Sequence, residues 1–126
     1  MNIHQIYTYN DLRNFTYLLE IGNGEAIVLD PWDSDEINTA LSERSLSLKA
    51  IINTHEHWDH TRGNEALVAA HECEVWAHQN GEGKIPGMTR ALSAGEVVPL
   101  EADVTLTVLD TPGHTFAHLC FLVTER

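Results

Sequence analysis

The sequence predicts an α/β fold in a single domain over residues 1–126. Short β-rich segments alternate with segments of helical periodicity in the order strand, helix, strand, helix, strand, which is typical of α/β proteins. Hydrophobic residues make up 43% and charged residues 21% of the chain, as in globular rather than disordered proteins. A chain of 126 residues holds one hydrophobic core, so one domain is expected.

The first predicted elements are a β-hairpin and a helix. Two β-rich runs, residues 15–21 and 26–30, flank a Gly-Asn-Gly turn whose residues tolerate positive φ. After Pro31, either Ser34 or Asp35 can serve as a helix N-cap. The apolar positions of this helix recur at roughly helical spacing, at Ile37, Leu41 and Leu46.

The rest of the chain predicts four strands, a second helix and a long loop. The strands cover residues 48–53, 74–78, 104–109 and 118–123, the helix covers 61–71, and the loop covers 79–95. Ala66, Leu67 and Ala70 supply the apolar positions of the second helix. The loop contains four glycines and Pro86, with one helical turn as an option near residues 88–92.

The charge balance excludes some classes of partner. Seven Lys and Arg against 19 Asp and Glu give a net charge of −12, which argues against nucleic acid and anionic membrane surfaces. No apolar run approaches the roughly 18 residues that a membrane span needs, and the first residues lack the plan of a signal peptide. A cytoplasmic location is therefore expected, with Cys73 and Cys120 as buried thiols rather than a disulfide.

Three imidazoles and a carboxylate follow the strand predicted over residues 48–53. They belong to His55, His57, Asp59 and His60. Imidazole nitrogen and carboxylate oxygen are the usual protein ligands of zinc in hydrolytic sites. In extended backbone His55 and His57 project to the same side and can share one ion. Asp59 and His60 can face a neighbouring position, so the pattern is compatible with two metals about 3.5–4 Å apart.

The other candidate residues carry less information on pattern alone. His114 lies in a Pro-Gly-His turn and is read either as a third ligand or as a plain turn residue. His118 favours a packed or supporting role. Asp30 and Asp110 end strands, so turn capping or support of a ligand is expected of them more than catalysis. Structural or surface roles are expected for His4, His71 and His78.

The motif His55-x-His57-x-Asp59-His60, together with the later Thr111-Pro112-Gly113-His114-Thr115, resembles the metallo-β-lactamase superfamily. Within it the chain is similar to the glyoxalase II branch, the hydroxyacylglutathione hydrolases. Further positions that carry this likeness are Trp58, Gly63-Asn64-Glu65, the segment 95–100, His118 and Phe121. The resemblance implies an αββα sandwich, of which this chain covers roughly the first half, and a two-metal site that takes zinc, with iron or manganese also accepted.

By this resemblance, His55, His57 and His114 hold the first metal, while Asp59 and His60 hold the second and Asp59 also takes a catalytic role. The implied reaction is hydrolysis of a glutathione thioester similar to S-lactoylglutathione, or of a related ester, by a metal-bound hydroxide. With three histidine ligands the first site should bind one zinc tightly. The second site, with two ligands, should be weak.

The sequence departs from the family pattern in two ways. Further metal ligands and the glutathione-binding residues of the family come from a second half that these 126 residues do not contain. Arg62 stands where the family commonly has a glycine, and its guanidinium can either repel a second metal or attract an anionic substrate. Half a sandwich also leaves one sheet face uncovered, which predicts self-association.

Two other interpretations stay open. The chain can be a truncated metal-binding domain with little or no turnover, which an assay of lactoylglutathione hydrolysis would separate from an enzyme. It can also belong to another branch of the superfamily, a persulfide dioxygenase or a lactonase. A dioxygenase would carry a single iron, so the identity of the metal discriminates between these branches.

Overall fold

The computed structural model describes most of the chain. The residues described are 2–7, 15–54, 61–79, 85, 87–93, 95–100, 104–110 and 119–125. Within them the chain forms nine strands and two helices. The strands are β1 Asn2–Tyr7, β2 Phe15–Gly22, β3 Glu25–Leu29, β4 Ser47–Ile52, β5 Glu74–His78, β6 Arg90–Leu92, β7 Val97–Pro99, β8 Val104–Asp110 and β9 Leu119–Glu125. The helices are α1 Ser34–Glu43 and α2 Asn64–His71.

The strands form two sheets. The first sheet has the order β1-β2-β3-β4-β5-β6, antiparallel from β1 to β3 and parallel from β3 to β6. The second sheet has the order β7-β8-β9 and is antiparallel throughout. Strands β3 to β6 run parallel, so their carboxyl ends all lie at the same end of the first sheet.

The predicted hairpin is confirmed in β2 and β3. The turn between them places Asn23 at φ 56° and Gly24 at φ 74°, a conformation that these two residues adopt at low cost. β1 was not predicted, and it pairs with β2 as the edge of the sheet. Ile3 in β1 is more than half exposed, so this strand lacks a strong hydrophobic pattern.

Helix α1 begins at Ser34 because Asp33, rather than Ser34 or Asp35, is its N-cap. A carboxylate oxygen of Asp33 accepts the backbone N–H of Asp35 at 2.9 Å and that of Glu36 at 3.4 Å. These bonds satisfy two of the N–H groups that the first helical turn leaves without intrahelical partners.

The helices bury only part of their predicted apolar positions. The buried ones are Ile37, Leu41 and Leu67. Ala66 and Ala70 are exposed, and Leu46 lies beyond the end of α1, where it packs against the same core as the helix. Helix α2 also begins at Asn64, three residues after the predicted start.

Two hydrophobic layers pack on opposite faces of the first sheet. One layer lies between this sheet and the helices and includes Leu18, Ala26, Val28, Ile37, Leu41, Ile51, Leu67 and Val75. The other layer lies between the two sheets and includes Leu19, Ile27, Ile52, Trp76, Leu92, Val98, Leu106 and Val108. The described residues therefore stack as a helical layer, a six-stranded sheet and a three-stranded sheet.

Trp76 is the largest side chain in the layer between the sheets. It is 2% exposed, and the Arg90 guanidinium lies 5.0 Å from the centroid of its ring. Its indole N–H is buried and has no hydrogen-bond acceptor among the residues that the structure describes. The indole therefore lies between the sheets with its polar atom shielded from water.

Strand β6 corrects the prediction of a loop over residues 79–95. It pairs in parallel with β5, and the predicted helical turn near residues 88–92 is wrong. The Thr89 hydroxyl leads into this pairing, since it accepts the Val75 N–H at 2.9 Å and donates to the Val75 carbonyl at 3.2 Å. Because β6 has only three residues, its pairing with β5 specifies the strand more than its own sequence pattern does.

The crossover between the sheets fixes where β8 ends. Just beyond the carboxyl end of β6, the Gly95 N–H donates to the Val108 carbonyl and the Val108 N–H donates to the Glu96 carbonyl, both at 2.8 Å. Val108 lies two residues before the end of β8. The carboxyl end of β8 therefore lies at the same end of the molecule as the carboxyl ends of the parallel strands.

Candidate metal centre

The five predicted metal ligands lie in two segments, residues 55–60 and 111–118, which are outside the residues that the structure describes. The structure does describe the residues on either side of both segments. In the described part of the chain, no group of three or more His, Cys, Asp or Glu side chains is arranged to hold a metal ion. The candidate centre is therefore built here from the elements that flank it.

Asp30 holds the residue that precedes the first segment. One carboxylate oxygen of Asp30 accepts the Thr54 backbone N–H at 2.8 Å, and the other accepts the Thr54 hydroxyl at 2.7 Å. Asp30 is 7% exposed and has φ 52°, and its own N–H donates to the Ile52 carbonyl at 3.0 Å. Hydrogen bonds to a buried carboxylate are strong, so the entry to the histidine segment is held in place.

The next two residues hold the chain where the same segment ends. The Pro31 carbonyl accepts the Gly63 N–H at 2.9 Å, and the Arg62 guanidinium lies 4.4 Å from the centroid of the Trp32 ring. A Cβ at Gly63 would meet the Pro31 carbonyl oxygen at 3.0 Å, so any other residue there would require Pro31 to move by a few tenths of an ångström. The three residues Asp30, Pro31 and Trp32 thus form a clamp, named here the Asp30–Trp32 clamp, on both ends of the segment.

A buried amide pair ties the same two ends together. The Asn64 side chain donates to the Asn53 side-chain oxygen at 2.7 Å, and the Asn53 amide donates back at 3.3 Å. Both residues are fully buried, and the Asn53 N–H also donates to the Trp76 carbonyl at 3.0 Å. The end of β4 and the start of α2 are therefore joined by side chains as well as by the chain between them.

The second segment connects two paired strands. Asp110 at the end of β8 pairs with Leu119 at the start of β9, so residues 111–118 leave and re-enter the second sheet at one place. That place is at the end of the molecule where β4 also ends, as the crossover through Gly95 establishes. The flanks of both predicted ligand segments therefore lie at the same end of the two sheets.

The histidines expected to be structural or on the surface have local partners or are buried. His4 pairs with Glu20, and a ring nitrogen of His71 lies 2.6 Å from the side-chain oxygen of Asn38. His78 ends β5 and is 2% exposed. His118 and the side chain of Asp110 fall outside the described residues.

Cys73 is a buried free thiol, as predicted. Its sulfur lies 3.8 Å from the Leu67 carbonyl oxygen. Burial raises the pKa of the Cys73 thiol, and a backbone hydrogen bond lowers it to a smaller extent. The side chain of Cys120 lies outside the described residues.

The sequence pattern predicts the histidine segment but not the side chains that hold the residues on either side of it. Asp30 was expected to cap a turn or support a ligand, but its partner Thr54 is 24 residues away and was not identified. No local sequence pattern indicates the roles of Asn53 and Trp32 or the contact of Gly63 with Pro31. Such partners follow from the parallel pairing of β3 with β4 rather than from spacing along the chain.

The layered fold and the histidine motifs of the sequence point to one protein superfamily. Residues 9–126 match the family model of the metallo-beta-lactamase superfamily, and the chain belongs to this superfamily. A crystal structure of ETHE1 from Myxococcus xanthus superposes with a TM-score of 0.86 at 25% identity, over 98% of this chain and 54% of that one. The predicted α/β fold of metallo-β-lactamase type, covering part of the full domain, is confirmed.

Particular relatives fall in the predicted branch. The chain is 43% identical over 121 residues to a hydroxyacylglutathione hydrolase of Nitrosococcus oceani and 40% identical over 121 residues to one of Polaromonas sp.. Each alignment covers 95% of this chain and 46% of the relative. The chain thus spans about half the length of these curated relatives.

The helices give one further finding. Neither α1 nor α2 has the length and apolar character required to cross a lipid bilayer.

Proposed function

We propose that this protein is a metal-dependent hydrolase of the glyoxalase II type, which hydrolyses a glutathione thioester similar to S-lactoylglutathione or a related ester. The relatives named hydroxyacylglutathione hydrolase support the reaction class. The observation that carries the proposal for this chain is the set of hydrogen bonds by which Asp30 and Pro31 of the Asp30–Trp32 clamp hold Thr54 and Gly63, on either side of the predicted ligand segment.

The donor set fits a divalent metal. We propose that His55, His57 and His114 hold the first ion and that Asp59 and His60 hold a second one. Imidazole and carboxylate donors suit zinc, and iron or manganese are alternatives for the same ligands. When bound, such an ion lowers the pKa of water toward about 7 and polarises the thioester carbonyl.

The residues of this chain position the reacting groups. Asp30 and Asn64 fix the residues that flank the ligand segment, Thr54 on one side and the start of α2 on the other. Asp59 supplies the proposed metal-binding carboxylate of the segment and is proposed to act in catalysis, where it can accept a proton from the attacking water as well as bind an ion. His114 is proposed to reach the first site from the connection between β8 and β9.

Metal content and hydrolysis test this proposal together. The 126-residue chain is expected to retain about one zinc after dialysis, and the protein is expected to hydrolyse S-lactoylglutathione. His57→Ala should remove the retained metal and reduce hydrolysis by at least about 100-fold. His71→Ala is the matched control, since His71 contacts Asn38 on the helical side. Retained zinc without hydrolysis of any thioester would favour a metal-binding domain without turnover, and a single bound iron would favour a dioxygenase.

The remaining proposals concern location and partners. The net charge of −12 supports a cytoplasmic enzyme that acts on a small molecule and does not bind nucleic acid or membranes. Self-association through the face of the second sheet is also proposed, because Val97 on β7 is 58% exposed. Light scattering at micromolar concentration tests it, and a monomer would contradict it.

A further inference from the structure

Arg62 is an exposed cation that has no anionic partner among the described residues, and it follows the predicted ligand segment in the sequence. Its guanidinium lies over the Trp32 ring at 4.4 Å, and no carboxylate of the described residues lies within 4 Å of it. Two other arginines differ in this respect. Arg44 lies 3.9 Å from the Glu43 carboxylate, and Arg90 lies 2.9 Å from the Glu96 carboxylate.

The contact with Trp32 fixes the cation and leaves its donors accessible. A guanidinium stacks on an aromatic ring through its face, while its five N–H donors point outward along its edge. These donors match the two oxygens of a carboxylate. Arg62 is therefore held near the Trp32 ring, and its exposed side chain can still bind an anion.

The backbone near Arg62 is also fixed. Thr61 is 5% exposed, and the Gly63 N–H donates to the Pro31 carbonyl at 2.9 Å. Arg62 lies between these two residues and follows His60, a proposed metal ligand, by two positions. A carboxylate held by Arg62 would therefore bind two positions in sequence after a proposed ligand, on backbone that Thr61 and Gly63 hold in place.

The negative net charge of the protein makes a local cation important for binding an anionic substrate. A protein with a net charge of −12 repels an anionic substrate at long range. A glutathione thioester carries two carboxylates, so its recognition needs local positive charge. Arg62 supplies that charge at the end of the molecule where the scaffold of the centre lies.

We propose that Arg62 binds a carboxylate of the anionic thioester substrate and that Trp32 is a positioning residue for its guanidinium. The inference rests on the proposed hydrolase function and adds to it a residue that selects substrates by charge. It takes up one of the two roles that the sequence leaves open for Arg62, the attraction of an anionic substrate.

Steady-state kinetics with two substrates test this role. The substrates are S-lactoylglutathione and an uncharged lactoyl thioester of N-acetylcysteamine. Arg62→Gln should raise KM for the glutathione thioester about five- to tenfold and change kcat by less than about twofold, since one charge-assisted hydrogen bond is lost. KM for the uncharged thioester should stay unchanged. Arg62→Lys should give a KM between those of the wild type and Arg62→Gln, because it keeps the charge and loses the bidentate geometry.

Trp32 variants and a matched arginine variant complete the experiment. Trp32→Leu should raise KM for the glutathione thioester about as much as Arg62→Gln does, whereas Trp32→Phe should raise it less, because phenylalanine keeps a ring face. Arg44→Gln removes the same charge at the end of α1 and should leave both substrates unaffected. Equal changes for both substrates, or no change in KM with Arg62→Gln, would overturn the proposal.

A binding measurement separates this inference from the proposed reaction. Titration calorimetry with S-methylglutathione, which cannot be hydrolysed, should show about five- to tenfold weaker binding to Arg62→Gln than to the wild type. If the wild type hydrolyses no thioester but this difference appears, the reaction is wrong and the anion site stands. If hydrolysis occurs and the two proteins bind S-methylglutathione equally, the reaction stands and the role of Arg62 is wrong.

Discussion

At the residue scale, Asp30 combines an uncommon backbone conformation with a buried carboxylate. Its φ of 52° lies in the left-handed region, where glycine, asparagine and aspartate are tolerated better than other residues. This turn directs its side chain to Thr54, where both carboxylate oxygens accept hydrogen bonds. Backbone and side chain therefore contribute separately to the clamp.

Three substitutions of Asp30 separate these contributions. Asp30→Asn keeps an acceptor and tolerates the backbone, so it should be the least destabilising. Asp30→Gly keeps the backbone but loses both acceptors, which should cost about 1–3 kcal/mol. Asp30→Ala adds backbone strain and should cost about 1 kcal/mol more than Asp30→Gly. Urea unfolding measures the series, and three variants as stable as the wild type would contradict the clamp.

The Cys73 thiol gives a prediction about pH. Burial raises the pKa of Cys73 in the folded state, so the thiol binds its proton more tightly in the folded than in the unfolded chain. Its contribution to stability is fully present below the unfolded pKa of about 8.5 and is lost as the pH rises through the folded pKa. In Cys120→Ala, alkylation of Cys73 should therefore be slow near neutral pH and accelerate at a higher pH than for a free cysteine.

Mass spectrometry after timed reaction with iodoacetamide follows this rate. The same variant in urea provides the control, since unfolding removes the effect of burial. A native rate equal to the rate in urea at pH 8 would show that Cys73 is not protected.

At the element scale, the amide pair of Asn53 and Asn64 joins β4 to α2. Asn53→Ala or Asn64→Ala removes both reciprocal bonds and leaves a buried amide with fewer partners, so each should cost about 1–3 kcal/mol. The double variant should cost less than the sum by about 1 kcal/mol, because the pair is lost only once. Thermal unfolding measures all four proteins. Asn38→Ala, which removes the partly buried contact with His71, is the control and should cost less stability. If the losses of the two single variants add up to that of the double variant, the Asn53 and Asn64 amides act independently.

Element prediction succeeded where the signal is local. The hairpin of β2 and β3 follows from its turn residues, and β5 matches the predicted strand over residues 74–78. The start of α2 and the whole of β6 depend on contacts with distant parts of the chain. Gly63 is held by Pro31, and β6 pairs with β5 across a segment with no pattern of its own.

At the scale of the whole molecule, the motif predicted the fold family better than periodicity did. The spacing of His55, His57, Asp59 and His60, with His114 far along the chain, led to the metallo-β-lactamase superfamily, and the family match confirms it. Periodicity alone predicted the strands that correspond to β8 and β9 but not β7, which has only three residues. The assignment of each ligand, and a single domain over residues 1–126, stay predictions.

The position of Trp76 has a practical consequence for following this molecule. Its indole lies in the layer between the sheets, whereas Trp32 stacks with an exposed arginine. Light emission from a dry indole shifts to the red when water reaches it. When both Trp32 and Trp58 are replaced by Phe, Trp76 is the one tryptophan left in the chain, and the wavelength of its emission should report whether the two sheets stay packed together. Circular dichroism records the unfolding of the helices separately.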